Sequence, residues 1–418
     1  PEKTTTINTA RYREQLDNIG FGLDWSREFK TTDPSYYKWT QWIFIQLFDA
    51  WYDYSSGKSR HIDSLIQYLN EHGTKGLQAA ETEALALTAE QWKGLNEKDK
   101  SEVLLNYRLA YRSESNVNWC PALGTVLAND EVKDGVSERG GHPVIQKKMM
   151  QWSMRITAFA DRLLEGLDQI DWSNALKETQ RNWIGKSVGA ALFFDIQDHP
   201  GQIEVFSTRP DTLFGATFLT LAPEHELVDA ITTAERREAV AAYKEKAASR
   251  SERDRMADTK TISGCFTGAY ALHPITKAQV PIWIGDYVLA SYGTGAVMAV
   301  PAHDSRDYAF AKHFDLPIVE VVEGGDITKE SYDAKSGKMV NSGFLDGMDC
   351  MDAKGKMIEH LEEIGYGKGA TQFKLRDAIF GRQRYWGEPI PVFYENGIPK
   401  TLPLEDLPLT LPAVDAYL

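Results

Sequence analysis

Val188-Gly189-Ala190-Ala191-Leu192-Phe193-Phe194-Asp195 and Ile203-Glu204-Val205-Phe206-Ser207-Thr208-Arg209-Pro210-Asp211-Thr212 are the stretches on which the fold turns. Both read as short strands. The second must end near Pro210, which removes a backbone donor and favours an extended residue before it. From there to about residue 320, β runs alternate with helical stretches: Phe218 to Leu221, Arg236 to Ala247, Val280 to Ile284, Tyr287 to Leu289 and Ala296 to Val300. That alternation predicts an α/β fold, a compact mixed domain.

The last of these runs lies inside a second dense motif, Tyr292-Gly293-Thr294-Gly295-Ala296-Val297-Met298-Ala299-Val300-Pro301-Ala302-His303-Asp304-Ser305-Arg306-Asp307. Ser207 to Thr212 bring three hydroxyls, a guanidinium and a carboxylate to a strand end; the second motif runs an apolar strand into two carboxylates and an arginine. Such groups can hold an ammonium, a phosphate and a water without a cysteine or a metal. They suit hydrolysis of a charged, amino-acid-bearing ester. A capped turn with Asp211 or Thr212 as N-cap, and a helix start favoured by Asp304 and Asp307, are equally good readings of the same residues.

Outward from this core the chain carries fewer signals. Tyr36 to Tyr54 reads as a helix with a broad apolar stripe made by Tyr37, Trp39, Trp42, Phe44, Leu47, Phe48 and Trp51, a core pattern. Residues 56–113 read as an inserted helical module, with Thr88 to Leu105 helical, and a helix is expected from about Ile145 to Leu167. Gly185-Lys186-Ser187 is no phosphate loop, because Gln180 stands where that loop needs glycine. Cys120 and His142 lack the second close ligand pair that zinc requires.

At 418 residues the chain is long enough for two or three domains. It has no run of eighteen apolar residues, so no membrane span is expected. Three scattered cysteines, Cys120, Cys265 and Cys350, suit a reducing cytoplasm. The net charge of −14 opposes broad nucleic-acid binding. A local basic track remains open at Lys374, Arg376, Arg382, Arg384 and Arg250 to Arg255, as does a plain solvated face. Because the first residue is Pro1, a processed or excised piece is expected.

The chain resembles the leucyl-tRNA synthetases over nearly its whole length. Phe21 to Glu28, Asn118 to Pro121, Gly124 to Asn129, Asn182 to Ser187, Thr208 to Gly215, Tyr292 to Asp307 and Arg382 to Pro391 match that family in order. Valyl enzymes typically follow the Thr-Arg-Pro element with Glu, whereas Asp211 follows it here. The family's ATP-binding His-x-Gly-His motif is absent, and Lys338-Met339-Val340-Asn341-Ser342 lacks the second lysine of its lysine loop. Leu123 and Val136 to Gly141 lack the cysteines of the family's first zinc module.

The resemblance implies a mixed α/β editing domain inserted into a split Rossmann-type class I catalytic domain. Residues 1–55 become a catalytic-domain segment, 56–113 the extra helical insertion, and 114–150 a zinc-module-like segment without zinc. Residues 151–185 become a connecting helix of the catalytic domain, 186–370 the editing domain, and 371–418 the return to the catalytic domain. The implied activity of this part is hydrolysis of mischarged aminoacyl-tRNA(Leu). Leucine ligation with ATP and Mg2+ belongs to the full synthetase, and editing needs no cofactor.

By the same resemblance Asp307 binds the substrate's α-ammonium and Asp304 assists. Thr208, with Ser207 and nearby backbone, holds the terminal adenosine and ester. Arg209 or Arg306 supports the phosphate or the carboxylates, with Asp211 and His303 beside them. Thr212, Tyr292, Met298 and Val300 shape a pocket that excludes leucine and admits norvaline, isoleucine or methionine. The implied partner is the acceptor end of tRNA(Leu), bound by a cytoplasmic monomer. A non-catalytic tRNA-docking module and a valyl or isoleucyl relative are the alternatives.

Overall fold

The computed structural model describes residues 2–248, 250, 255, 261–289, 293–333, 335–381 and 388–412. The chain divides into two units. One holds residues 1–132, 137–171 and 376–418; the other holds 133–136 and 172–375. Among the described residues no helix is long and apolar enough to cross a membrane.

In the first unit, helix Pro34–Phe48 buries Tyr37, Gln41, Phe44, Ile45 and Phe48 on one face. It ends before Tyr54, because residues 50–53 pair with Lys58–His61 as a short ribbon. Gln41 is fully buried, and its amide holds the returning chain: Nε2 donates to Pro389 O and Leu409 O, while Oε1 accepts from Leu409 N. Residues 56–113 supply the helices Ile62–His72, Ala89–Gly94 and Glu97–Leu105, packed around Leu65, Leu69, Trp92 and Tyr107.

Ile145–Met154 corrects the expected helix. It is a strand pairing antiparallel with Ala110–Cys120 through ten consecutive positions, and only Ala160–Leu167 of that span is α-helical. The long ladder engages the backbone groups that face Ala110–Cys120, in a segment whose own side chains are mostly solvated. Asp377 then pins the returning chain beside this sheet. It accepts from Tyr111 Oη at 2.7 Å, Thr157 N at 3.0 Å and Thr157 Oγ1 at 2.8 Å. Cys120 is fully buried at the end of the ladder, opposite Thr125, and His142 belongs to a turn closed by the Ser137 hydroxyl. Among the described residues no three His, Cys, Asp or Glu side chains gather as metal ligands.

The second unit is a seven-stranded mixed sheet with helices. Its strands are β1 (Lys186–Ile196), β2 (Gln202–Ser207), β3 (Phe218–Leu221), β4 (Cys265–Leu272), β5 (Gln279–Ile284), β6 (Ala296–Ala299) and β7 (Gly367–Phe373). They run in the order β6-β3-β5-β4-β1-β7, with β2 also paired to β1. β3 and β5 are parallel; the other pairs are antiparallel. Residues 287–289, expected as a β run, form a turn instead, closed by Val288 N donating to Gly285 O. Leu192, Phe194, Val205, Leu213, Leu219 and Ile282 fill the core. Helix α1 (Asn174–Ile184) leads in, and the chain leaves beside it: Lys374 N and Leu375 N both donate to Ile184 O. These two strands of chain form a neck.

Candidate active site

The first motif sits where β2 ends. Arg209 N donates to Ser207 Oγ at 3.0 Å, and Pro210 opens a short 3-10 turn through Gly215. Neither Asp211 nor Thr212 caps that turn. Asp211, only 1% exposed, receives the Arg209 guanidinium instead: Nε lies 2.9 Å and Nη2 2.7 Å from Oδ2. Burial works against the Arg209 charge, but the hydrogen bonds and charge of Asp211 raise its pKa on balance. Thr212, 2% exposed, donates its hydroxyl to Arg209 O at 2.9 Å. Thr208 stays exposed. Removing Arg209 leaves a buried carboxylate unpaired. Arg209→Ala is expected to lose about 3 kcal/mol of stability, the low end for a broken buried pair because the arginine is partly solvated. A denaturant midpoint equal to that of the unsubstituted chain refutes this role for the pair.

The second motif follows β6. Met298 lies opposite Leu219 in the ladder, and Val300 is buried just beyond it. Asp304 is the N-cap of helix α2 (Ser305–His313), accepting from Arg306 N at 2.9 Å and Asp307 N at 3.1 Å. Asp307 is half-buried and accepts from Val300 N through Oδ2 at 2.8 Å. Burial, then the negative charge of Asp304, push its carboxyl up to about 8 against the pull of the Val300 amide and Arg306. Burial holds His303 below its ordinary value. Its Nδ1 meets Tyr332 O, and its Nε2 accepts from Val321 N and Val322 N, so both ring nitrogens are engaged within the protein. Arg306 is exposed. Tyr292 and Arg382 to Gly387 lie outside the described residues.

The fold brings the two motifs together. β2 lies beside β6, Thr217 N donates to Ala299 O at 3.2 Å, and a Cβ on Gly215 would stand 3.0 Å from Val300 Cγ1. A residue missed in the sequence, Gly189 on β1, makes room for this meeting. A Cβ there would stand 2.0 Å from Ser207 O and 2.9 Å from Thr208 Cα. Only the glycine inside an otherwise apolar strand run hinted at such a close approach. Gly189→Ala is expected to push Ser207 and Thr208 aside and cost about 1–3 kcal/mol of stability, read from melting curves. An unchanged melting temperature would show that the strand end tolerates displacement.

The open basic track does not materialise at residues 250 and 255. Arg250 pairs with Asp286, and buried Arg255 spends its guanidinium on Glu224 Oε1, Asp286 O and Val288 O. The thiols of Cys265 and Cys350 are pushed up by burial, so neither is poised as a thiolate nucleophile.

What converges, then, is a carboxylate, a buried aspartate forked by a partly solvated arginine, and an alcohol-rich strand end beside an apolar wall. Residues 181–362 match the family model described as the leucyl-tRNA synthetase editing domain. The second unit is accordingly an editing domain of the aminoacyl-tRNA synthetase class, of mixed α/β fold. The chain belongs to the leucyl-tRNA synthetase family. It is 59% identical over its full length to the leucine–tRNA ligase of Christiangramia forsetii and 56% identical to that of Flavobacterium johnsoniae, covering 44% and 46% of those proteins. It also superposes on the ternary complex of Agrobacterium radiobacter K84 LeuRS, tRNA and LeuAMS with a TM-score of 0.64 and 30% identity, over 99% of this chain and 42% of that one. The chain thus spans less than half the length of these relatives. Neither a valyl or isoleucyl assignment nor a docking module is favoured by these likenesses.

Proposed function

We propose that the second unit hydrolyses aminoacyl-tRNA(Leu) esters carrying the wrong amino acid. The observation that carries this reading is that β2, which ends in the Thr208–Thr212 turn, lies beside β6, whose continuation at Val300 is bonded to Asp307, inside the region matched by the editing-domain model. Asp307, as the carboxylate, receives the substrate's α-ammonium on the oxygen turned away from Val300 N. Asp304 holds the start of α2 and keeps Asp307 in place. Thr208, Ser207 and neighbouring backbone receive the terminal adenosine and the ester, while Arg209 and Arg306 balance phosphate and carboxylate charge. Thr212, Tyr292, Met298 and Val300 set the width of the side-chain pocket.

Water adds to the ester carbonyl and the bond to the ribose oxygen breaks. The proton passes to that oxygen, releasing free amino acid and intact tRNA. The ester is already activated, so fixed dipoles and orientation supply much of the rate, with no covalent intermediate and no cofactor. A second site of this kind is needed because one methylene in a synthetic pocket discriminates by only about 1–3 kcal/mol. The longer synthetases of this family would ligate leucine with ATP and Mg2+. This chain lacks the motifs that hold them, and we assign it none of that step. We take the working protein to be a cytoplasmic monomer that binds the acceptor end of tRNA(Leu).

The test is hydrolysis of isoleucyl-tRNA(Leu) and leucyl-tRNA(Leu) by this chain. Cleavage of the first and sparing of the second is the expected result. Cleavage of neither, with tRNA still bound, identifies a docking module and overturns the proposal.

A further inference from the structure

The hydrogen bonds of His303 leave one tautomer consistent with all of them. Two backbone amides, Val321 N and Val322 N, donate to Nε2 at 3.0 Å each, so that nitrogen carries the lone pair. Nδ1 then carries the proton and donates to Tyr332 O at 2.9 Å. Tyr332 is tied a second time, its N donating to Ala302 O at 2.8 Å. One neutral imidazole therefore closes both ends of the excursion 319–332 onto the turn that follows Val300.

That excursion backs the pocket. Val321 and Val300 press on the same point, each with a methyl 3.0 Å from where a Gly215 Cβ would stand. From Val321 the support continues to the first motif. Val340 N donates to Val321 O, Val322 bridges Met339, Lys338 bridges Asp349, and Cys350 N donates to Gly337 O. Cys350 opens the helix Cys350–Glu363 and feels the charges of Arg209 and Asp211. The strap thus runs from the second motif round to the first, with His303 as its clasp.

We propose that His303 is a positioning residue which, by holding this strap behind Val300, sets how strictly the pocket excludes leucine. The proposal rests on the editing reading of the site. The charged and titratable groups around the imidazole are Arg209 and Asp211 from the first motif, Glu320 and Tyr332 from the strap. Burial chiefly, with Arg209 assisting, keeps the ring neutral, against the pull of the Tyr332 carbonyl, Glu320 and Asp211. A protonated Nε2 cannot accept. The clasp is therefore intact at neutral pH and is lost as the pH falls through the lowered folded value, below the ordinary 6.5.

The experiment compares single-turnover hydrolysis of isoleucyl-tRNA(Leu) and leucyl-tRNA(Leu) by the unsubstituted chain, His303→Ala and Val321→Ala, with melting curves alongside. Both substitutions are expected to narrow the isoleucyl-to-leucyl rate ratio by tenfold or more. A loss of folded protein scales both rates alike and leaves the ratio untouched. Where His303→Ala does not fold, the unsubstituted chain decides: its ratio falls with acidification. Titration of Asp307 cancels there, because both esters carry the same ammonium. A ratio that holds in both variants and stays flat with pH overturns the clasp while leaving the editing reading intact. Failure of the unsubstituted chain to cleave either ester overturns the editing reading, and this inference with it.

Discussion

Asp307→Ala is expected to lower hydrolysis of isoleucyl-tRNA(Leu) by about a hundredfold to a thousandfold, the scale of removing one partner of a desolvated charge pair or one oriented polar group at a reacting centre. The variant loses the acceptor for the α-ammonium and the oxygen that holds Val300 N at 2.8 Å, so anchor and wall are disturbed together. Asp307→Asn separates the two effects. Its amide oxygen can still accept from Val300 N, but it has no charge for the ammonium, and the rate should fall nearly as far. Stability should move the other way. The unfolded carboxyl titrates near 3.8 and the folded one near 8, so folding favours the protonated form. The stability this contributes is complete below pH 4 and is lost progressively as the pH rises to 8. Asp307→Asn avoids that loss. Its melting temperature should exceed that of the unsubstituted chain at pH 8, the gap closing by pH 4. A gap that is constant with pH sinks the account of a strained carboxylate; a near-normal rate in Asp307→Asn sinks the ammonium anchor.

Thr212→Ala should make correctly charged leucyl-tRNA(Leu) a substrate, raising its hydrolysis about 10- to 200-fold while isoleucyl-tRNA(Leu) is still cleaved. Thr212 is buried and its rotamer is held by the bond to Arg209 O, so its γ atoms occupy a defined volume. Alanine empties about a methyl and a hydroxyl of that volume. It also removes one of two donors to Arg209 O, which keeps the Thr212 backbone N–H, at a cost of about 1 kcal/mol or less. Thr212→Val separates volume from hydrogen bonding: it should lose the same bond yet keep leucine out. Unchanged sparing of leucyl-tRNA(Leu) by Thr212→Ala defeats the steric explanation, and cleavage of it by Thr212→Val moves the explanation to the hydrogen bond.

Much of the fold around the site was legible because its strands are short apolar runs bounded by turn residues. Phe218–Leu221 is found as read, and Ala296–Ala299 falls one residue short of the reading. The failures come from non-local pairing. Ile145–Met154 has too few buried positions to declare itself, and only its partner ladder makes it a strand. At the site, the order of motifs singled out two segments that the fold sets side by side. Their partners stayed hidden. The passage of Ser207 over Gly189 follows from strand pairing, the reach of His303 to Tyr332 spans a loop excursion, and the Asp307–Val300 bond closes a turn of seven residues that no residue type announces. The sequence labels Asp211 a cap as readily as an arginine's partner; the buried fork with Arg209 decides it.

The neck at Ile184 and Lys374 has a thermodynamic consequence for the rest of the chain. With Lys374 N bonded to Ile184 O, roughly 190 residues begin and end at one place. While the second unit is folded, the first unit experiences that whole length as a short tether. Were it to melt, the first unit would have to close a flexible loop of that size, at an entropic cost of about 5 kcal/mol by the logarithmic loop law. The editing domain's own stability is thereby lent to its host through chain connectivity alone, and a substitution deep in one unit can lower the melting temperature of the other without touching it.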